Sequence, residues 1–177
     1  MQGGYLDTPL NATGEAQAEY LRKVIHTLDR KPVKIFHSPL QRVRKTADVL
    51  NRSLGLTMHE IDDLREHIVG DWEGAKWDEI KPRLLAGETP PNGESRSDYA
   101  ERVKKTLHGI LPHHDSPVMI VAHGGTFAAL AHLHGFDFGH IPNCHLHYFE
   151  PHPDNAAFPW KIWQYDAEGG TLGYPKT

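Results

Sequence analysis

The stretch that most constrains this chain is Val118-Met119-Ile120-Val121-Ala122-His123-Gly124-Gly125-Thr126. Its four leading apolar residues predict a strand buried on both faces. A histidine and two glycines then lead into Phe127-Ala128-Ala129-Leu130-Ala131, an apolar run that suits a helix. A strand, a glycine turn and a helix start bring backbone N–H groups and the positive helix end to one point, which suits an anion. His123 and Gly124 lie at that point. The glycines remove the bulk that would keep a ligand oxygen from the backbone.

The remaining elements are read outward from this strand. Residues 1–10 form a loop, then a helix capped by Thr13 buries Ala18, Leu21, Val24, Ile25 and Leu28 and runs to Lys31-Pro32. Val33 to Phe36 is a short strand. Ser38-Pro39 reads as an N-cap and first helical residue, followed by a helix burying Leu40, Val43, Ala47, Leu50 and Leu54. Thr57 to Ile61 is a further strand, and Asp62 to Gly74 is irregular. Helices are expected over Trp77–Leu85 and from a Ser95 cap to Leu111, the latter with Tyr99, Val103, Leu107 and Ile110 on one side. Two alternating runs, His145–Phe149 and Lys161–Tyr165, read as strands near the sheet edge, and the tail after Gly169 as loose. Strands alternating with helices give an α/β fold, a three-layer αβα domain with a mainly parallel sheet. Ligands gather at the carboxyl ends of such strands. Two ends carry suitable groups there, Ser38 with Arg42 and His123 with Gly124. Arg42 offers a planar fork of donors to a phosphate, although Arg44 and Lys45 beside it also suit a solvated basic face.

A chain of 177 residues fits one domain. A net charge of −4, from 19 basic and 23 acidic residues, gives no reason to expect nucleic acid or a membrane as partner. No apolar run approaches the roughly 20 residues of a membrane span. No charged-then-apolar leader is read, and the single Cys144 suits a reducing compartment, so a cytoplasmic location is expected. The 14 histidines raise the question of metal. His132 and His134 diverge on a helix. His145 and His147 share a strand face without a third ligand in sight. His113-His114 and the others read as surface or packing residues, and the expectation is no metal site.

Several segments, in order, resemble the histidine phosphatase superfamily, also called phosphoglycerate-mutase-like. These are Gln2-Gly3 with Asp7-Thr8-Pro9-Leu10, Ser38-Pro39-Leu40-Gln41-Arg42 with Thr46-Ala47, and Leu64-Arg65-Glu66 with Gly70-Asp71-Trp72-Glu73-Gly74. Gly93-Glu94-Ser95 with Arg102 and Val121-Ala122-His123-Gly124-Gly125 complete the set. The resemblance implies hydrolysis of a phosphomonoester through a phosphohistidine, with no cofactor and with a small phosphorylated substrate or inorganic phosphate as partner. Carried over by motif, Glu66 is the proton donor, Arg42 a phosphate clamp and His123 the second histidine that stabilises the transferring group. Ser38 and Gly124 join the phosphate site, and Gln2 and Gly3 its rim. Trp72 is expected to help keep water from Glu66.

One departure accompanies the match. The family's nucleophile lies in an Arg-His-Gly motif, and no such tripeptide occurs here. The expectation is a single domain over 1–177, truncated at its N-terminus, lacking a first central strand placed between the strands ending at His37-Ser38 and before His123. Those two strands then either close on each other or recruit a segment of a second chain, giving a homodimer by strand exchange. His37 as a substitute nucleophile is disfavoured because the resemblance places a small residue there. Three functions follow: a phosphatase of this family with weak or no activity as written, a non-catalytic phosphate- or partner-binding relative, or a phosphoglycerate mutase. The short separation between Gly74 and Ser95 speaks against the mutase. A metal-dependent hydrolase is the weakest alternative.

Overall fold

A computed structural model of the chain describes residues 2–25, 28–135, 138–139, 141–155, 159–165 and 171–174. Strands β1 (Ile35–His37), β2 (Met58–Glu60) and β3 (Met119–Val121) form a parallel sheet in the order β2-β1-β3. Helix α1 (Ala12–Ile25) precedes β1, and α2 (Gln41–Asn51) follows it. Helices α3 (Trp77–Leu85) and α4 (Arg96–Ile110) lie between β2 and β3, and α5 (Gly124–His134) follows β3.

Alternation along β1 explains the layering. Ile35 joins Leu21, Ile25, Ala47, Leu50 and Met119 in the core under α1 and α2. Phe36 faces the other way, onto Leu64 and Ile110. Helices α4 and α5 pack on each other through Tyr99, Ala100, Val103 and Ala129. The α/β fold with a parallel sheet, expected from the alternation of elements, is the fold observed.

The sheet decides between two expectations. With no further strand between the ends at His37 and before His123, those strands were expected to close on each other or to recruit a second chain, and β1 and β3 are direct neighbours. Ile35 lies opposite Met119, Phe36 opposite Ile120 and His37 opposite Val121. The Ser38 N–H extends the pairing to the Val121 carbonyl at 3.1 Å. Donors and acceptors along this seam are satisfied within the chain, so the seam gives no reason for strand exchange. Strands β4 (His147–Pro151), β5 (Trp160–Tyr165) and β6 (Thr171–Tyr174) make a second, antiparallel sheet. The segment expected to be loose after Gly169 therefore includes a strand, paired through Ile162 with Tyr174 and Tyr165 with Thr171. Residues 166–170 and 175–177 lie outside the described residues.

Two caps also differ from expectation. The Asn11 side chain, and not Thr13, caps α1 by accepting from the Gly14 N–H at 2.9 Å. The first part of α2 is satisfied from afar, because Asp7 Oδ1 accepts from the Gln41 N–H at 2.7 Å. Ser38, expected as the cap, takes only a long contact of 3.4 Å from the Leu40 N–H. Its hydroxyl is thereby available to the opposite strand end. By contrast, Ser95 caps α4 as expected, in a reciprocal box with Asp98.

Candidate active site

Parallel pairing of β1 with β3 brings the residues after each strand together. Ser38 is fully buried there. Its Oγ lies 2.9 Å from Nε2 of His123, the residue that opens α5. Arg42, in the first turn of α2, is half-buried and held by the N-terminal loop. Its Nη1 donates to the Leu6 carbonyl at 3.0 Å and its Nη2 to the Gly3 carbonyl at 3.3 Å. Glu73 secures that loop by accepting from the Gly3 N–H at 2.8 Å and the Tyr5 N–H at 3.1 Å. Gly3 is thus buried against the site, whereas Gln2 is exposed beyond it.

Glu66 reaches the same place from the turn after β2, although only 9% of its surface is exposed. Three donors satisfy its carboxyl group. The His67 N–H at 2.9 Å and the Tyr99 hydroxyl at 3.0 Å donate to Oε1, and the Gly125 N–H at 3.2 Å donates to Oε2. Part of the anion-binding capacity of the α5 start is therefore taken by a side chain of the protein itself. Gly125 has no alternative residue here: an added Cβ would lie 1.9 Å from Glu66 Oε1. At Gly124 an added Cβ would meet nothing within 4 Å, so space opens beside it.

Arg102 braces this segment from α4. Its guanidinium donates to the carbonyls of Asp63 at 2.7 Å, Arg65 at 3.1 Å and Glu66 at 3.3 Å, and pairs with the Glu94 carboxylate. Burial opposes the Arg102 charge, but Glu94 outweighs it and raises its pKa. Burial lowers the pKa of Arg42, against the pull of Glu66, Asp7 and Glu73. Trp72 lies beneath the guanidinium of Arg83, whose Cζ is 3.9 Å from the ring centroid, so that ring is engaged by α3.

His123 is the most perturbed group. Burial first, and then the charges of Arg42, Arg102 and Arg65, hold its pKa down at about 3. The site therefore holds a neutral imidazole near three guanidinium groups. A negative charge at this point would offset that positive field and favour the protonated ring. Below its ordinary value of about 6.5, the unfolded chain takes a proton at this histidine that the folded chain refuses. Stability is therefore full above pH 6.5 and falls as pH drops toward 3. His147, held at about 4 mainly by burial and then by His145, acts with the same sign. Thermal melting is expected to be lower at pH 5 than at pH 7, with the difference reduced in His123→Gln. An unchanged difference in that variant would remove His123 from the account.

Arg42, Ser38, Glu66, His123, Gly124 and Gly3 thus converge, while Gln2 stays on the outside. His37 is buried, and its Nδ1–H donates to the Ser38 carbonyl at 2.9 Å. Among the described residues, no group of three or more His, Cys, Asp or Glu side chains could hold a metal ion, and no helix is long and apolar enough to cross a membrane. Sequence reasoning missed the hydroxyl of Tyr99, which it read only as part of an apolar helix face. It quoted Arg65, Glu73 and Arg102 as motif residues without a role. The spacing of Tyr99 and Arg102, three apart on α4, was the available signal.

Several known proteins resemble this chain. The chain is 34% identical over 132 residues to the uncharacterized phosphatase PhoE of Bacillus subtilis (strain 168), covering 72% of this chain and 65% of that protein. It is 36% identical over 146 residues to the glucosyl-3-phosphoglycerate phosphatase of Mycobacterium tuberculosis (strain CDC 1551 / Oshkosh), with the same coverage of 72% and 65%. The match thus spans just under two thirds of the length of these relatives. A mycobacterial glucosyl-3-phosphoglycerate phosphatase solved with inorganic phosphate superposes with a TM-score of 0.73 at 32% identity, covering 95% of this chain and 92% of that one. A family model described as histidine phosphatase superfamily (branch 1) matches residues 1–158, and to that superfamily this chain belongs.

Proposed function

We propose that the pocket between the ends of β1 and β3 binds the phosphoryl group of a small phosphorylated metabolite. Arg42 clamps the phosphate, and Ser38, His123 and Gly124 line it. Glu66 serves as the proton donor to the leaving oxygen. The observation that carries this reading is the buried Glu66 carboxyl, held at the head of α5 within the electrostatic reach of Arg42. Phosphoryl transfer asks mainly for positioning and compensation of charge, and this cluster supplies both. The phosphatase names of the relatives, and the bound phosphate of the structural neighbour, support the same class. A sugar phosphate or a similar ester is the substrate class proposed.

The chemistry of this family also needs a histidine that attacks phosphorus and carries it as a phosphohistidine. The 177 residues contain no Arg-His-Gly tripeptide. His37 is not a substitute, because its ring is buried and committed to the Ser38 carbonyl. The proposal is therefore a phosphatase pocket that binds phosphate and, as this polypeptide alone, turns it over very weakly or not at all. A role as a non-catalytic phosphate binder is the second reading, favoured by the same missing tripeptide. Two assays on the purified chain test both parts. Calorimetry is expected to detect inorganic phosphate at roughly millimolar concentration or below, and p-nitrophenyl phosphate hydrolysis is expected not to exceed the buffer blank. Robust hydrolysis would overturn the inactivity, and no heat of binding would overturn the pocket.

A further inference from the structure

We propose that Tyr99 is a positioning residue for Glu66, acting as the one partner of that carboxyl that can both donate and accept a hydrogen bond. This inference rests on the reading of Glu66 as the proton donor. Of the three donors to the Glu66 carboxyl, two are backbone N–H groups, from His67 and Gly125. An N–H can only donate, so each favours the ionised carboxylate. A carboxyl that passes on a proton must also exist in its neutral form. In a buried site, that form needs an acceptor for its own O–H.

The Tyr99 hydroxyl meets that need. It lies 3.0 Å from Glu66 Oε1, and the Thr126 hydroxyl is its second hydrogen-bond partner. When Glu66 is ionised, Tyr99 donates to Oε1. When Oε1 carries a proton, the phenolic O–H rotates to donate to Thr126 Oγ and the phenolic oxygen accepts from Glu66. Tyr99 keeps its own proton throughout. The proton on Glu66 comes from water and leaves with the departing alkoxide of the substrate. Burial, the Glu66 charge and the hydrogen bond to Glu66 keep the phenol firmly protonated, as this role requires.

The ring is fixed so that the hydroxyl can turn but not wander. Tyr99 is 3% exposed. One face stacks on the His67 imidazole, with centroids 4.9 Å apart and planes 3° from parallel. The Arg102 guanidinium lies over the ring at 4.9 Å from its centroid. The Gly125 backbone closes the end, because a Cβ there would come within 2.9 Å of the phenolic oxygen. The charged and titratable groups around Glu66 are Arg42 from α2, Arg65 and His67 from its own turn, Tyr99 and Arg102 from α4, and His123 from the start of α5. Among the described residues only Tyr99 places a side-chain hydroxyl on the carboxyl, and Tyr99→Phe removes that hydroxyl while keeping the stacked ring.

The test is isotope-edited infrared spectroscopy of the full chain carrying ¹³C-labelled glutamate, with Glu66→Gln used to assign the Glu66 band. Tyr99→Phe is expected to shift that band, as loss of one charge-assisted hydrogen bond must. Thr126→Val leaves Tyr99 in place without its second partner. It is expected to lower the intensity of the neutral carboxyl band of Glu66 in acid. A Glu66 band unmoved in folded Tyr99→Phe overturns the proposal. If that variant does not fold, an unchanged acid spectrum in Thr126→Val overturns it instead. Phosphate calorimetry on the unmodified chain separates the two readings. Binding without band shifts leaves the pocket standing and removes Tyr99. Band shifts without binding do the reverse.

Discussion

Replacing Arg42 with alanine is expected to weaken phosphate binding by about a hundredfold. Loss of two charge-assisted donors amounts to roughly 3 kcal/mol, and each 1.4 kcal/mol is tenfold. The fold tolerates the change better than the site does. Arg42 spends part of its fork on the Gly3 and Leu6 carbonyls, and α2 is anchored separately by Val43, Ala47 and Leu50. Arg42→Lys is expected to restore only part of the affinity, because an ammonium keeps the charge and loses the planar fork. Calorimetry should be run near pH 8. Removing Arg42 also lifts one of the charges that keep His123 neutral, and at lower pH a protonated His123 would mask some of the loss. Equal phosphate affinity in Arg42→Ala and the unmodified chain would place the anion somewhere other than this pocket.

The largest effect on stability is expected from Gly70→Ala, at about 3–5 kcal/mol of destabilisation. Gly70 has φ +50°, which suits glycine, and an added Cβ would sit 2.1 Å from the Pro91 carbonyl and 2.6 Å from the Gly93 nitrogen. These are backbone atoms with little freedom to yield. The turn at Gly70 docks on the 90–93 loop through the Asp71 N–H to the Pro91 carbonyl at 2.9 Å, and through Asn92 Nδ2 to Asp71. Moving it also disturbs Glu73, and through it the loop that holds Arg42. Chemical denaturation should therefore show a lower midpoint together with weaker phosphate binding. At Gly74, where φ is +82° and an added Cβ meets nothing within 4 Å, alanine should cost only the backbone strain. A Gly70→Ala variant no less stable than Gly74→Ala would contradict the close docking of the two loops.

What could be read from sequence was what depends on neighbours along the chain. The helix expected over Trp77–Leu85 matches α3 to the residue, and Ser95 marked the start of α4. The apolar run into His123-Gly124 gave β3, the turn and α5. Contacts across long separations were not legible. Ser38 looked like a cap because serine before proline usually is one, yet Asp7, 34 residues from Gln41, does that work and leaves Ser38 to His123. How the strands ending at His37 and before His123 meet stayed open, because no local pattern tells which strands of a parallel sheet are neighbours, and β1 pairs directly with β3. Tyr99 was sorted by its ring, correctly, into an apolar face. Its hydroxyl serves a residue 33 positions away, and no periodicity reports such a pairing.

The loop over residues 3–7 has two attachments that differ in kind. Its carbonyls at Gly3 and Leu6 orient a guanidinium, and its Asp7 side chain secures the first turn of a helix. Tyr5 and Leu6 nevertheless project into solvent. A protease that accepts aromatic or leucine side chains would find its cleavage point at the most accessible part of the loop. One scission there would loosen the start of α2 and let the guanidinium swing free at the same moment. Bound phosphate, by steadying Arg42, should slow that cut.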